Sequence, residues 1–177
     1  MRAGSSSEAP RGHSSAIWLR SVLFLETVLF TYRSILSAPA ATVFSWHERP
    51  EALLDLMPSR RLMRLESQSG GLHDGGVVTL AIGIGPLRVR WKARHFGYLR
   101  NQQFCDEQVS GPFARWRHTH RFEALGANQS VYEDRVECAL PGGALLNRLI
   151  EPLLRAILTR LFARRHAVVR ASLGYAS

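Results

Sequence analysis

The stretch Gly111–Phe122, Gly-Pro-Phe-Ala-Arg-Trp-Arg-His-Thr-His-Arg-Phe, limits the possible folds of this chain more than any other. After the Gly111-Pro112 turn the side chains alternate with a period of two, and a pleated strand converts that alternation into two faces. Trp116, His118, His120 and Phe122 share one face, and Arg115, Arg117, Thr119 and Arg121 share the other. The guanidiniums require water. The strand therefore belongs to a sheet that is wet on one side, with two imidazoles turned inward between two aromatics.

The neighbouring punctuation is that of an antiparallel meander. Arg61–Ser69 ends at Gly70-Gly71, and Val77–Ile84 lies between Asp74-Gly75-Gly76 and Gly85-Pro86. Leu87–Tyr98, Gln102–Val109, Phe113–Ala124 and Ser130–Leu140 follow, and Pro141-Gly142-Gly143 closes the series. Upstream, Val28–Leu36 reads as a first strand. Ser37 is placed to cap a short helix to about Trp46, and Pro50 opens a second, Pro50–Met57, stopped by Pro58. Ala144–Ser172 reads as one long amphipathic helix, with Leu145, Leu149, Leu153, Ile157, Leu161 and Val168 along its inner side and Pro152 within it.

Met1–Ser15 is rich in serine and glycine and reads as a disordered tail. Residues 16–27 read as an N-terminal extension and residues 173–177 as a C-terminal tail, leaving 28–172 as the folded domain. Ile17–Phe30 is interrupted by Arg20 and Glu26 and falls short of the roughly 20 apolar residues of a membrane span. At 177 residues the chain is long enough for one well-buried core. The net charge of +9 is almost entirely arginine, Lys92 being the only lysine. No nucleic-acid motif accompanies it, so the charge reads as a solvated face and nucleic acid is not expected as a partner. Arg88, Arg90, Lys92 and Arg94 form an outward stripe that offers a weak contact to an anionic membrane surface. Cys105 and Cys138 stand in no paired or metal-ligand spacing and fall on opposite faces by parity. They suit a reducing cytoplasm.

One strand, two small helices, a curved antiparallel sheet and a long C-terminal helix make an α+β arrangement of the helix-grip type, the sheet wrapped around the last helix. The residues Ala38-Pro39, Val43-Phe44, Trp46-His47-Glu48-Arg49-Pro50, Phe104-Cys105-Asp106-Glu107-Gln108, Gly111-Pro112-Phe113, Trp116-Arg117-His118, His120-Arg121-Phe122, Asp134 and Leu140-Pro141-Gly142-Gly143 carry a further likeness. Over about Val28 to Val169 the chain resembles the START-like (SRPBCC) superfamily, in the branch with polyketide cyclase/dehydrase-type and coenzyme Q-binding proteins. The resemblance implies an apolar cavity between sheet and helix. It implies neither a common ligand nor a common reaction.

Turn lengths suggest a register. A three-residue turn after Val109 sets Phe104 opposite His118, Asp106 opposite Trp116 and Glu107 opposite Arg115. Pairing Phe122 with Ser130 sets His120 opposite Tyr132 and His118 opposite Asp134. A two-residue turn at Arg100-Asn101 brings His95 opposite Asp106. Trp91, His95, Phe104, Asp106, Trp116, His118, His120, Phe122, Tyr132 and Asp134 then form the expected ligand-binding face. Each imidazole is expected to lean on a carboxylate or phenol, since an unsatisfied buried polar group costs ~1–3 kcal/mol. His118 and His120 point the same way, with His95 or Asp106 as a third donor. Metal ligation needs convergence within about 2.0–2.2 Å of one point, which face-sharing does not establish, so no metal and no cofactor is expected. His47 reads as a helix-end residue near the cavity mouth, with the two short helices and the turn at Gly85-Pro86 or Gly142-Gly143 as its rim. Gly83-Ile84-Gly85 lacks the third glycine of a dinucleotide fingerprint.

Three functions fit this pattern. The first is binding of a small hydrophobic or amphipathic ligand, such as a lipid, a quinone or a polyketide-like molecule. The second is a cyclase- or dehydratase-type enzyme using His118 with Asp134 or Asp106 as catalytic residues. The third is a non-catalytic regulatory or interaction protein whose cavity is filled by side chains.

Overall fold

A computed structural model describes residues 27–174. The tail read at residues 1–15, the extension as far as residue 26 and the end of the C-terminal tail lie outside the described residues. Strand β1 (Val28–Leu36) is followed by helices α1 (Ala40–Glu48) and α2 (Ala52–Leu56). Then come β2 (Met63–Ser69), β3 (Val77–Ile82), β4 (Val89–Leu99), β5 (Gln103–Ser110), β6 (Arg115–Gly126), β7 (Gln129–Ala139) and the long helix α3 (Gly143–Ser172). The strands form one seven-stranded antiparallel sheet in the order β1-β7-β6-β5-β4-β3-β2. The chain thus starts at one edge, crosses to the other through α1 and α2, and returns by successive hairpins. No described helix is long and apolar enough to cross a membrane.

Irregularities at Leu65/Ser67, Lys92/Ala93, Phe96/Leu99 and Ala124/Gly126 interrupt the ladders, and such bulges bend and twist a strand. The bend leaves a concave face. Phe44 and Trp46 of α1 pack there against Phe104, Phe122, Tyr132 and Val169. A second cluster joins Val28, Phe30, Trp116 and Val136 to Leu158 and Phe162 of α3. Met57, Val78 and Leu80 form a third at the far side. Gly142 and Gly143, at φ of 119° and 84°, turn the chain from β7 into α3 through backbone that other residues rarely adopt. Asn147 clamps that corner: its Oδ1 accepts from the Leu140 amide at 2.7 Å, and its Nδ2 donates to the Leu140 and Gly143 carbonyls at 2.9 and 2.8 Å.

Three sequence expectations change. The register of β5 on β6 is displaced by two residues: Phe104 faces His120, Asp106 faces His118 and Glu107 faces Arg117. Gln108 accounts for this, because its side chain accepts from the Phe113 amide and donates to the Phe113 carbonyl, extending the strand pair to the turn itself. β6 likewise runs on to Gly126, so that His120 faces Asp134, His118 faces Val136 and Phe122 faces Tyr132. His95 does face Asp106. The expected inner stripe of α3 is the second correction. Leu145, Leu149, Leu153 and Ile157 are exposed and only Leu161 and Val168 of that stripe pack against the core, whereas Asn147, Leu158, Phe162, His166 and Val169 are buried. Third, α1 starts after Pro39 rather than from a Ser37 cap, and the Pro39 carbonyl accepts from the Thr42 and Val43 amides. Cys105 and Cys138 are free thiols.

Candidate functional site

The alternation of β6 turns His118 and His120 into the concave side, where a row of polar groups crosses four strands. His95 stands on β4, Asp106 on β5, His118 and His120 on β6, and Asp134 and Tyr132 on β7. His118 lies between two carboxylates: its Nδ1 is 3.2 Å from Asp106 Oδ2 and its Nε2 is 3.0 Å from Asp134 Oδ1. His120 sits beside it, the two ring centroids 3.9 Å apart. His120 Nε2 is 3.7 Å from Asp106 Oδ2. Its Nδ1 is 2.7 Å from Asp134 Oδ1, a close contact whose N–H is not aligned for a hydrogen bond.

Two further histidines complete the cluster from the helices. His166 of α3 reaches Asp134 Oδ2 through Nε2 at 2.9 Å and Ser34 Oγ through Nδ1 at 2.9 Å, and its ring stacks on Tyr132 at 4.1 Å. His47 of α1 pairs Nδ1 with the Val43 carbonyl at 2.8 Å and Nε2 with the Tyr132 hydroxyl at 3.1 Å. His47 is therefore an interior residue rather than a rim residue. The sequence reading missed His166, because Arg164-Arg165-His166 looks like a solvated run. The four-residue steps Leu158, Phe162, His166 were the signal that placed it inward.

The electrostatics follow from burial and partners. Burial favours a neutral His118, but the hydrogen bonds and charges of Asp106 and Asp134 outweigh it and raise the pKa. Burial also opposes ionisation of the two carboxyls, yet the neighbouring imidazoles hold Asp106 below and Asp134 well below the ordinary carboxylate range. Burial, followed by the field of His120, lowers His47 to about 3. It also lowers His95 and His166. Tyr132 is pushed well above the usual phenol value by burial and then by the charge of Asp134.

Above this row lies a cavity of about 400 Å³ bounded by α2, the middle of α3, β2 to β6 and the Pro112-Phe113 turn. Trp91, His95, Phe104, Asp106, Trp116, His118 and His120 line it, as the sequence suggested, and so does His47. Phe122, Tyr132 and Asp134 do not: they are buried behind the wall, Asp134 with no exposed surface at all. Leu53, Met57 and Pro58 near α2, Leu154 and Ile157 of α3, and Pro112 also line the cavity, whereas Gly85-Pro86 and Gly142-Gly143 do not. The volume rules out an interior packed solid by side chains. On the convex side, Arg90 pairs with Glu66 at 2.7 Å and Arg94 with Glu107 at 2.6 Å, so two cations of the Arg88–Arg94 stripe are already matched. Arg115 meets Glu137 at 3.5 Å rather than Glu107.

The fold has counterparts in solved structures. A nucleoside-diphosphate sugar epimerase from Corynebacterium glutamicum aligns with 82% of this chain at a TM-score of 0.65 and 25% identity, and the chain spans 29% of that protein's length. A START superfamily protein from Mycobacterium smegmatis aligns at 0.59 and 13% identity, over 81% of this chain and 95% of that one. An aromatase/cyclase from a Streptomyces species aligns at 0.64 and 13% identity, over 83% and 93%. No curated protein matches the sequence. The profile of the family described as "Polyketide cyclase / dehydrase and lipid transport" matches residues 36–164, well over half of the chain. The helix-grip arrangement, the START-like neighbours and that match together assign the chain to the polyketide cyclase/dehydrase and lipid transport family.

Proposed function

We propose that the protein binds a small amphipathic molecule in the cavity between sheet and α3, an apolar body lying among the aliphatic side chains and an oxygen-bearing end meeting the polar floor. The observation that carries this reading is the contrast within one cavity of about 400 Å³, a size in the range of small-molecule sites. Its walls are largely apolar, while His95, Asp106, His118 and His120 gather at one end. Those four side chains set hydrogen-bonding groups beside an apolar wall, which favours a ligand that carries an oxygen at one end, such as a carbonyl or hydroxyl. A lipid, a quinone and a polyketide-like molecule all meet that description.

A cyclase-type reaction with His118 as base has less support. Both of its ring nitrogens are engaged by carboxylates, whose hydrogen bonds and charges raise its pKa, so neither nitrogen is free to take a substrate proton.

Native mass spectrometry of the purified chain tests the binding reading. The expected result is a small apolar adduct that is lost in Ala93→Phe, a substitution that fills the cavity from β4, with the melting temperature of the variant retained. A bare parent mass, together with no rise in melting temperature against a panel of fatty acids, quinones and polycyclic phenols, would overturn it.

A further inference from the structure

The floor of the cavity holds more than hydrogen-bonded imidazoles. His118 Nδ1 and His120 Nε2 approach the same carboxylate oxygen, Asp106 Oδ2, at 3.2 and 3.7 Å. One ligand atom from each of Asp106, His118 and His120 lies within 4.8 Å of the other two. A tetrahedral ion with bonds of about 2.0–2.1 Å keeps its donors about 3.4 Å apart, and the two observed contacts bracket that separation. We propose that Asp106, His118 and His120 form a binding site for a divalent transition-metal ion, held by one carboxylate oxygen and two imidazole nitrogens.

The groups behind the three donors support the assignment. The nitrogens not used for the ion, His118 Nε2 and His120 Nδ1, both lie against Asp134 Oδ1, at 3.0 and 2.7 Å. Asp134 Oδ2 is held in turn by His166 Nε2 at 2.9 Å. A carboxylate behind each ligating histidine fixes the ring orientation and the tautomer, which presents the remaining lone pair to the ion. His118 Nε2 is hydrogen-bonded to Asp134 Oδ1 and His120 Nδ1 is in close but unaligned contact with the same oxygen, which leaves His118 Nδ1, His120 Nε2 and Asp106 Oδ2 to face an ion. Such convergence needs a positive centre, and a proton on His118 is the competing occupant.

Donor chemistry sets the class of ion. Two imidazoles and a carboxylate suit zinc, iron(II) or their neighbours in the first transition row, not calcium or magnesium, which prefer all-oxygen shells. Among the described residues three protein ligands converge, and all three line the cavity. A fourth position is thereby left to water or to an oxygen of a cavity ligand. His95 lines the same cavity and pairs with Asp106 across the β4–β5 ladder. The assignment stands apart from the identity, or even the existence, of an organic ligand.

Calorimetric titration of the full chain with Zn²⁺ after chelator treatment, and with Co²⁺ followed by visible absorption, tests the proposal. One equivalent of ion should bind, with a tetrahedral cobalt spectrum, and Asp106→Asn and His120→Gln should each weaken affinity by at least about tenfold. The imidazole ¹H–¹⁵N spectrum of the unaltered chain supplies a readout that does not depend on variants folding. Zn²⁺ should shift the His118 and His120 rings directly while exposed His73 stays in place. Absence of saturable binding, or an ion that leaves the His118 and His120 signals unmoved, would overturn the site and assign the positive centre to the proton alone.

Discussion

Asp134 shows how one buried carboxylate can join parts of the chain that are distant in sequence. It has no exposed surface, and His118, His120 and His166 converge on it from β6 and α3. Removing one member of a buried ion-paired group leaves the others desolvated without compensation, at a cost of about 3–5 kcal/mol. Asp134→Ala should lower the unfolding free energy by that amount, measured as a shift of the urea midpoint. A change under about 1 kcal/mol would mean that the imidazoles find other partners. Residue identity and parity were enough to turn Asp134, Tyr132 and Phe122 inward. They could not say which inward residues reach the cavity, because that depends on how far the sheet bends and where α1 and α3 settle. For these three side chains the sheet's own packing intervenes, with Phe122 stacked on Tyr132 at 5.3 Å and Tyr132 on His166 at 4.1 Å.

At the scale of elements, turn chemistry was a better guide than periodicity. Gly-Pro, Asp-Gly-Gly and Pro-Gly-Gly marked the strand ends to within a few residues, since positive φ and missing N–H groups are hard to place elsewhere. Register slipped by two residues at the β5–β6 and β6–β7 hairpins. An even slip preserves which face each side chain takes, so the inward set survived although its pairings did not. The stripe on α3 failed for a different reason. Leu, Ile and Val occupy much of the circumference, and the four-residue series Leu145, Leu149, Leu153, Ile157 competes with Leu154, Leu158, Phe162, His166, whose last member looks polar. Leu158 is buried beside Phe30 and Phe162, whereas Leu149 is 76% exposed. Leu158→Ala should therefore cost about 2–5 kcal/mol, and Leu149→Ala should stay within about 0.5 kcal/mol. Equal effects in chemical denaturation would restore the expected stripe.

For the molecule as a whole, burying five imidazoles makes stability a function of pH. His47, His95, His118, His120 and His166 are all buried. Three of them, His47, His95 and His166, have pKa values lowered from 6.5 by burial. As pH falls through that value the unfolded chain takes up protons that the folded chain refuses, so each ring removes stability toward acid. The slope is about 1.4 kcal/mol per pH unit for each unmatched proton, and roughly 4 kcal/mol per unit if all three stay neutral. Asp106 and Asp134, with pKa values lowered by their imidazole partners, add a further loss below their unfolded value of 3.8. His118 works in the opposite direction. Its pKa is raised, so its contribution is complete below 6.5 and is lost as pH rises through the folded value. The two effects act on opposite sides of 6.5, one proton above it and up to three below it, so the stability maximum falls near neutrality with its steeper side toward acid. Urea unfolding between about pH 7 and pH 5 should show that decline. His47→Gln, which removes one ring that refuses a proton, should reduce the slope by about 1.4 kcal/mol per pH unit. A flat profile in the parent chain would mean that these rings accept protons inside the fold, and that the cavity floor is wetter than its geometry implies.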